Sequence, residues 1–192
     1  MPYTKEHKLI SRERILRSAI ALFSRRGYDN VTLDQVMAHA GMTRGAFYNH
    51  FSSKQQLYAE AMITGAKISP ISGEIPKGCD AQDHLMELVK GYLSMAHVKD
   101  IDTPCLMAFM VTDVANNEPE VRRTYTQIFK RVSRRVASLM DQDDELLSQK
   151  SQALVALLIG GVAVCRAFND EKLACEVLAA CQNLAAEVVI SK

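Results

Sequence analysis

No cysteine pair in this chain has a CxxC spacing, and the cysteine count is an odd five, so neither a disulfide framework nor a sulfur-ligated zinc site is expected. The longest apolar run, Ala153 to Cys165, falls short of the roughly 18 residues that a membrane span needs. The N-terminus, MPYTKEHKLI, is charged where a secretory signal would need an apolar stretch. A soluble, cytoplasmic protein with reduced thiols and no membrane partner is therefore expected. Strand alternation and internal repeats are also missing, which leaves an all-α chain. Glu-x-x-His pairs are absent and histidines number only five, so a helical-bundle enzyme has no convergent catalytic or metal-binding set. No enzyme activity, metal or cofactor is expected.

What is present is a large apolar fraction, 48% of 192 residues, enough for a sizeable core. Formal net charge is only +1, but it is unevenly spread. Residues 1–67 carry ten Lys/Arg against five Asp/Glu, and the rest carries thirteen against seventeen. Such asymmetry is expected where one part of a chain meets a polyanion.

Apolar residues recur at helical intervals from Ser11 to Arg26, with Gly27 where a C-cap belongs. Val31-Thr32 then caps a short helix ending near Gly41, with Val36, Met37 and Ala40 inward. Thr43 caps a third helix to about Phe51, and Ser52-Ser53 caps a fourth from Lys54 that turns Leu57, Tyr58, Ala61 and Met62 inward. Proline and glycine between Ser69 and Gly78 mark a linker. Helical patterns then fill Gln82 to His97, Cys105 to Ala115, Glu120 to Met140, Glu145 to Phe168 and Glu171 to Ile190, with Pro104 and Pro119 just ahead of two of them.

Two short helices joined by Ala40-Gly41-Met42 match a helix-turn-helix, whose second helix enters the major groove. On that helix Phe47 and Phe51 share one side and anchor it, while Arg44, Gly45, Tyr48 and Asn49 spread over the other. Arg44 suits guanine O6/N7, Asn49 suits adenine, and Tyr48 offers a ring for a thymine methyl and a hydroxyl for a phosphate. Thr32, Thr43, His50 and Lys54 lie at or near helix N-termini, where phosphates bind. Glycine inside a helix costs about 1 kcal/mol against alanine, which Gly45 repays if DNA approaches the backbone there.

The segment LDQVMAHAGMTRGAFYNHFSSKQQLY resembles the DNA-binding segment of the tetracycline-repressor (TetR) family, and the pattern runs from Ser11 to about Tyr58. The resemblance implies a homodimeric transcriptional regulator, usually a repressor, that binds double-stranded operator DNA and releases it when a small-molecule effector binds. It also implies that Thr32, Thr43, Tyr48, His50 and Lys54 contact the DNA backbone, that Arg44 and Gly45 meet the bases, and that Arg12 adds a minor-groove or phosphate contact. On this reading residues 1–53 form the helix-turn-helix domain. Residues 54–192 form a helical-bundle domain for effector binding and dimerisation, with 54–67 as connecting helix.

For the dimer interface, the last two helices carry small residues suited to close approach: Ala156, Gly160, Gly161, Ala163 and Ala167, then Ala174, Leu178, Cys181 and Ala185. The alternative is packing within one chain. For the effector pocket, Met62, Met86, Tyr92, Met95, Met107, Met110, Tyr125 and Phe129 form a Met- and aromatic-rich set, with Phe109 and the polar His97, Asp113 and Arg166 beside it. Ordinary core accounts for such a stripe equally well. Cys105, in the first turn of a helix, is a candidate sensor of electrophiles or oxidants, with a buried thiol as the alternative. An effector-independent DNA-binding protein is the remaining possibility.

Overall fold

A computed structural model describes residues 5–100, 105–140 and 145–190, without the side chains of 145–148. Pro104 lies outside the described residues. Among these residues every regular element is helical, with no strand. The elements are α1 (Lys5–Arg26), α2 (Leu33–His39), α3 (Arg44–Phe47), α4 (Lys54–Ile68), a 3-10 turn (Pro70–Ser72), α5 (Ala81–Tyr92), α6 (Met95–Lys99), α7 (Leu106–Phe109), α8 (Val111–Ala115), α9 (Pro119–Leu139), α10 (Glu145–Arg166) and α11 (Glu171–Ile190). They group into two compact units, one drawn from Met1–Lys67 and Ile101–Tyr125, the other from Ile68–Asp100 and Thr126–Lys192.

In the first unit, α1 begins at Lys5, six residues before the expected Ser11; the added residues are all exposed, so helical propensity continues the helix with no apolar face to dictate it. Gly27 ends α1 at φ +76, where its N–H donates to the Phe23 carbonyl at 2.9 Å. Thr32 closes a capping box: its hydroxyl accepts from the Gln35 N–H at 3.2 Å, and the Gln35 side chain accepts from the Thr32 N–H at 2.9 Å. Gly41, at φ +65, makes the turn to α3, and the Met42 N–H reaches back to the Met37 carbonyl at 2.8 Å, as in a Schellman end. Arg14 donates to the Ala40 carbonyl at 2.7 Å and so satisfies the end of α2.

The core of this unit is continuous: Ile15, Ala19, Val31, Val36, Phe47, Leu57, Tyr58 and Ala61 are fully buried. Each large apolar side chain of this kind contributes about 1.5–3 kcal/mol by leaving water. Phe23 meets Tyr58 edge-on, with ring centroids 5.0 Å apart, and Tyr28 does the same at 4.9 Å.

Segment 105–115 is not the single helix its pattern suggests. Met110 (φ −104, ψ 1) divides it into α7 and α8, because its side chain is fully buried and the backbone bends to place it. Cys105 is accordingly the N-cap residue of a one-turn helix and not a first-turn residue of a long one. Leu106 occupies the space that a side chain at Gly65 of α4 would need. Asp113 of α8 sits against the α1–α2 turn, where its Oδ2 accepts the Tyr28 N–H at 2.7 Å. A Cβ at Gly27 would come within 2.8 Å of that oxygen. Gly27→Ala therefore combines a left-handed backbone cost of about 1–2 kcal/mol with displacement of Asp113. Urea unfolding of this variant is expected to lose at least that much stability; an unchanged midpoint would contradict the account of this turn.

The second unit packs α5, α6, the C-terminal part of α9, α10 and α11 around Leu85, Val89, Leu93, Val136, Leu139, Leu154 and Val162. The helix expected over Gln82 to His97 breaks at Leu93, and Ser94 caps α6 by accepting the His97 N–H at 3.2 Å. The Ser69 to Gly78 stretch contains a helical turn with Ile71 buried, and its Gly73 carbonyl accepts from Arg135 at 2.7 Å.

The predicted dimer stripe divides between faces. Ala174, Leu178 and Ala185 are buried within their own chain, and Gly161 lies against Leu93 and Cys181 of the same unit, with a Cβ position 3.0 Å from Leu93 Cδ2. Their small size serves α10–α11 packing inside one chain. Ala156 and Ala167 are exposed, Ala163 and Cys181 half-buried, and a Cβ at Gly160 would meet nothing within 4 Å.

Candidate nucleic-acid interface

The third helix is shorter than its sequence pattern. α-Helical geometry covers Arg44–Phe47, after which the chain tightens: Asn49 N–H donates to Ala46 O at 3.3 Å and His50 N–H to Phe47 O at 2.9 Å. These i to i+3 bonds keep Tyr48, Asn49 and His50 in one continuing turn. Thr43 has the extended backbone of an N-cap (φ −81, ψ 152), yet its side chain makes no capping hydrogen bond, contrary to the expected cap. Its exposed hydroxyl is thereby left out of the helix's own hydrogen bonding.

The division between anchors and readers is visible in burial. Phe47 and Phe51 are 0% and 2% exposed and lie stacked, 5.7 Å between centroids. Arg44, Gly45, Tyr48 and Asn49 are all exposed, Tyr48 by 60%. Tyr48 stands edge-on against Phe47 at 5.2 Å, so a buried ring steadies an exposed one. A Cβ at Gly45 would find nothing within 4 Å, and its φ is not in the left-handed region. Nothing in the protein around it requires glycine at that position.

The remaining predicted contacts surround this face. Thr32 is exposed while its hydroxyl serves the capping box. His50 is partly buried; burial first, then Lys8 and Arg12, hold its pKa below the usual histidine value, and its Nδ1 is buried without a hydrogen bond. A neutral imidazole offers a phosphate one N–H and no charge. Lys54 opens α4 with its ammonium 4.1 Å from the centroid of the Tyr28 ring. Burial lowers its pKa, with Asp29 opposing. Arg12 pairs with Glu60 and lies over the Phe51 ring at 4.9 Å, so it is engaged within the protein and would have to exchange Glu60 for a phosphate. One contact was not legible in the sequence: Arg44 Nη1 donates to Asp34 Oδ2 at 2.8 Å.

The predicted effector residues divide between the two units. Met62 and Met110 are 2% and 0% exposed and belong to the core of the first unit, as does half-buried Asp113 through its bond to Tyr28. In that unit the half-buried Tyr125 donates its hydroxyl to the Met107 carbonyl at 2.9 Å. Burial, and then Cys105, push the Tyr125 pKa up to about 12. Met86, Tyr92, Met95 and Phe129 are half-buried in the second unit, Arg166 is exposed, and His97 Nδ1 contacts the Tyr92 carbonyl at 2.7 Å. An open cavity of about 600 Å³ in the first unit is lined by Ser53, Gln55, Glu118, Pro119, Glu120 and Arg123, none of which was expected to bind an effector. Among the described residues no group of His, Cys, Asp and Glu is arranged to hold a metal.

A short helix anchored from behind by aromatics and exposed in front, reached through a glycine turn, defines a helix-turn-helix DNA-binding protein. Residues 15–61 match the family described as bacterial regulatory proteins, tetR family. YfiR of Bacillus subtilis, an HTH-type transcriptional regulator, is 27% identical over 148 residues, which cover 73% of this chain and 71% of that protein. The biofilm operon icaADBC HTH-type negative transcriptional regulator IcaR of Staphylococcus aureus is 35% identical over 51 residues, only 27% of either chain. The E. coli NemR reduced form has a similar fold, with a TM-score of 0.72 at 16% identity over 90% of this chain and 95% of that one. Residues 15–61 thus carry a tetR-family DNA-binding segment, and the chain shares its fold with solved tetR-family regulators.

Proposed function

We propose that the protein is a cytoplasmic homodimeric repressor that occupies a palindromic double-stranded operator and leaves it when a small-molecule effector binds. The observation that carries this reading is the exposed face of Arg44, Gly45, Tyr48 and Asn49, held from behind by Phe47 and Phe51. Thr32, Thr43, His50 and Lys54 would take phosphates around it, and Arg12 would join them by releasing Glu60. Residues 1–53 would form the DNA-binding domain, 54–67 the connecting helix, and the remainder the effector and dimerisation domain.

Dimerisation is supported by large apolar side chains left exposed on the last two helices. Val164 of α10 is 50% exposed, and Leu173, Leu184 and Ile190 of α11 are 41%, 49% and 69% exposed. α11 is apolar and long enough to cross a membrane by composition alone, but Glu171, Lys172, Glu176 and Glu187 lie along it, and a second copy of the helix pair suits it better. Ala156, Gly160, Ala163 and Ala167 would line the contact.

Effector release needs a route to the head, and segment 105–115, in the same unit, would offer one through two contacts: Leu106 on Gly65 of α4, and Asp113 on the α1–α2 turn. An effector that favours a different arrangement of this segment would shift the population away from the DNA-competent state. Selection of bound duplexes followed by a metabolite screen for release tests the reading; a specific complex that no metabolite dissociates would leave the effector-independent alternative standing.

A second reading rests on Cys105, which is half-buried beside Tyr125 at the start of α7, in a chain whose fold resembles that of the E. coli NemR reduced form. Cys165 and Cys181 are poorer candidates, because burial raises both thiol pKa values and disfavours the thiolate. If Cys105 senses electrophiles or oxidants, Cys105→Ser abolishes release of operator DNA by quinones or hypochlorite in a gel-shift titration. An unchanged response removes Cys105 from the mechanism.

A further inference from the structure

Beside the exposed face of α3 stands one group that the proposed role does not explain: a carboxylate. Asp34, in the first turn of α2, accepts a hydrogen bond from Arg44 Nη1 at 2.8 Å, and both side chains are 59% exposed. As a stabilising device the pair is weak, because exposed ion pairs are screened by water and contribute little. The start of α2 does not depend on it, since Thr32 and Gln35 already close the capping box. On a surface that meets phosphates, a negative charge opposes binding. A carboxylate in the first turn also suits the positive end of the α2 dipole and helps the helix start, but neither that role nor general DNA affinity accounts for its bond to Arg44.

Its effect on Arg44 does. A free arginine side chain samples many rotamers, and a bond to a neighbouring carboxylate favours those that keep the guanidinium beside it. The pair uses a single N–H and a single carboxylate oxygen. The remaining N–H groups keep the planar fork that matches guanine O6 and N7. Gly45, directly beside it, has open space where a side chain would stand, so a base edge can come close to the fork.

We infer that Asp34 is a positioning residue for sequence recognition: it holds the Arg44 guanidinium in the orientation that reads a guanine in each operator half-site. The inference rests on the reading of α3 as the DNA-contacting face. Asp34 specifies sequence through Arg44 at the expense of general affinity for DNA.

The test is selection of bound duplexes from a randomised pool by the full chain and by Asp34→Ala, Arg44→Ala and the double variant, with thermal melting of each. Both single variants are expected to lose preference at the same base pair of each half-site, by about tenfold or more. The double variant loses no more than either, and melting temperatures fall only slightly, as removal of one first-turn carboxylate implies. Asp34→Ala also binds random-sequence duplex at least as tightly as wild type, a result that a merely structural role would not give. Full preference retained in Asp34→Ala at the pair that Arg44→Ala loses, or a change only at a different pair, would overturn the inference. A wild-type chain that selects no consensus would instead overturn the reading of the α3 face itself.

Discussion

Tyr48→Ala is expected to weaken binding to the selected operator by about a hundredfold or more while leaving folding and dimer formation intact. Tyr48 is 60% exposed, and its one ring contact among those described is edge-on to Phe47, so truncation removes little from the core. At the DNA the loss is larger. The ring contact to a base and the hydroxyl contact to a phosphate are both lost, and a two-fold dimer loses them twice; about 1.4 kcal/mol per half-site is tenfold in affinity, and both half-sites together about a hundredfold. Fluorescence anisotropy with labelled operator and random duplex separates the components: specific affinity falls steeply, non-specific affinity only slightly. Tyr48→Phe divides the residue further, because it retains the ring and removes the phosphate-seeking hydroxyl. Full operator affinity in Tyr48→Ala would place the reading face elsewhere.

Gly45→Ala is expected to move stability and binding in opposite directions. Alanine is favoured over glycine in a helix by about 1 kcal/mol at most, and a Cβ at Gly45 would meet no protein atom within 4 Å. The variant therefore unfolds at the same or a higher denaturant concentration. On the DNA side the added methyl stands in the middle of the exposed face, between Arg44 and Tyr48, and operator affinity falls by about tenfold, equivalent to 1.4 kcal/mol. A Gly45→Ala protein that is more stable and binds equally well would mean that the glycine serves no close approach of DNA. Gly27→Ala gives the contrasting behaviour: it should lose stability, because there the protein itself fills the space beside a left-handed glycine.

The head was the most legible part of the chain because its determinants are local. Thr32 with Gln35, Ser53 ahead of α4, Gly27 and Gly41 each act within a few residues of where they stand. Helical spacing alone separated Phe47 and Phe51 from the residues they support. The body was legible as helices but not as surfaces. Periodicity marks Ala174, Leu178 and Ala185 as lying on one face, but not whether the covering helix belongs to the same chain, and here it does. The bends at Leu93 and Met110 were hidden because each residue keeps its neighbours' helical spacing while tertiary burial of its side chain bends the backbone. Bonds between sequence-distant residues, Asp34 to Arg44 and Asp113 to Tyr28, leave no periodic mark. The whole-chain charge count also obscured α9, where six Lys/Arg accompany a single acidic residue, Glu120.

The central claim is that the α3 face reads DNA as one half of a two-fold pair. Its most direct test is to let the full chain select duplexes from a randomised pool and to measure the stoichiometry of the selected complex. The account predicts a palindromic consensus, two chains per duplex, half-sites about 34–36 Å apart or a multiple of that, and loss of the consensus in Tyr48→Ala. No consensus, or one that Tyr48→Ala recovers unchanged, would contradict it.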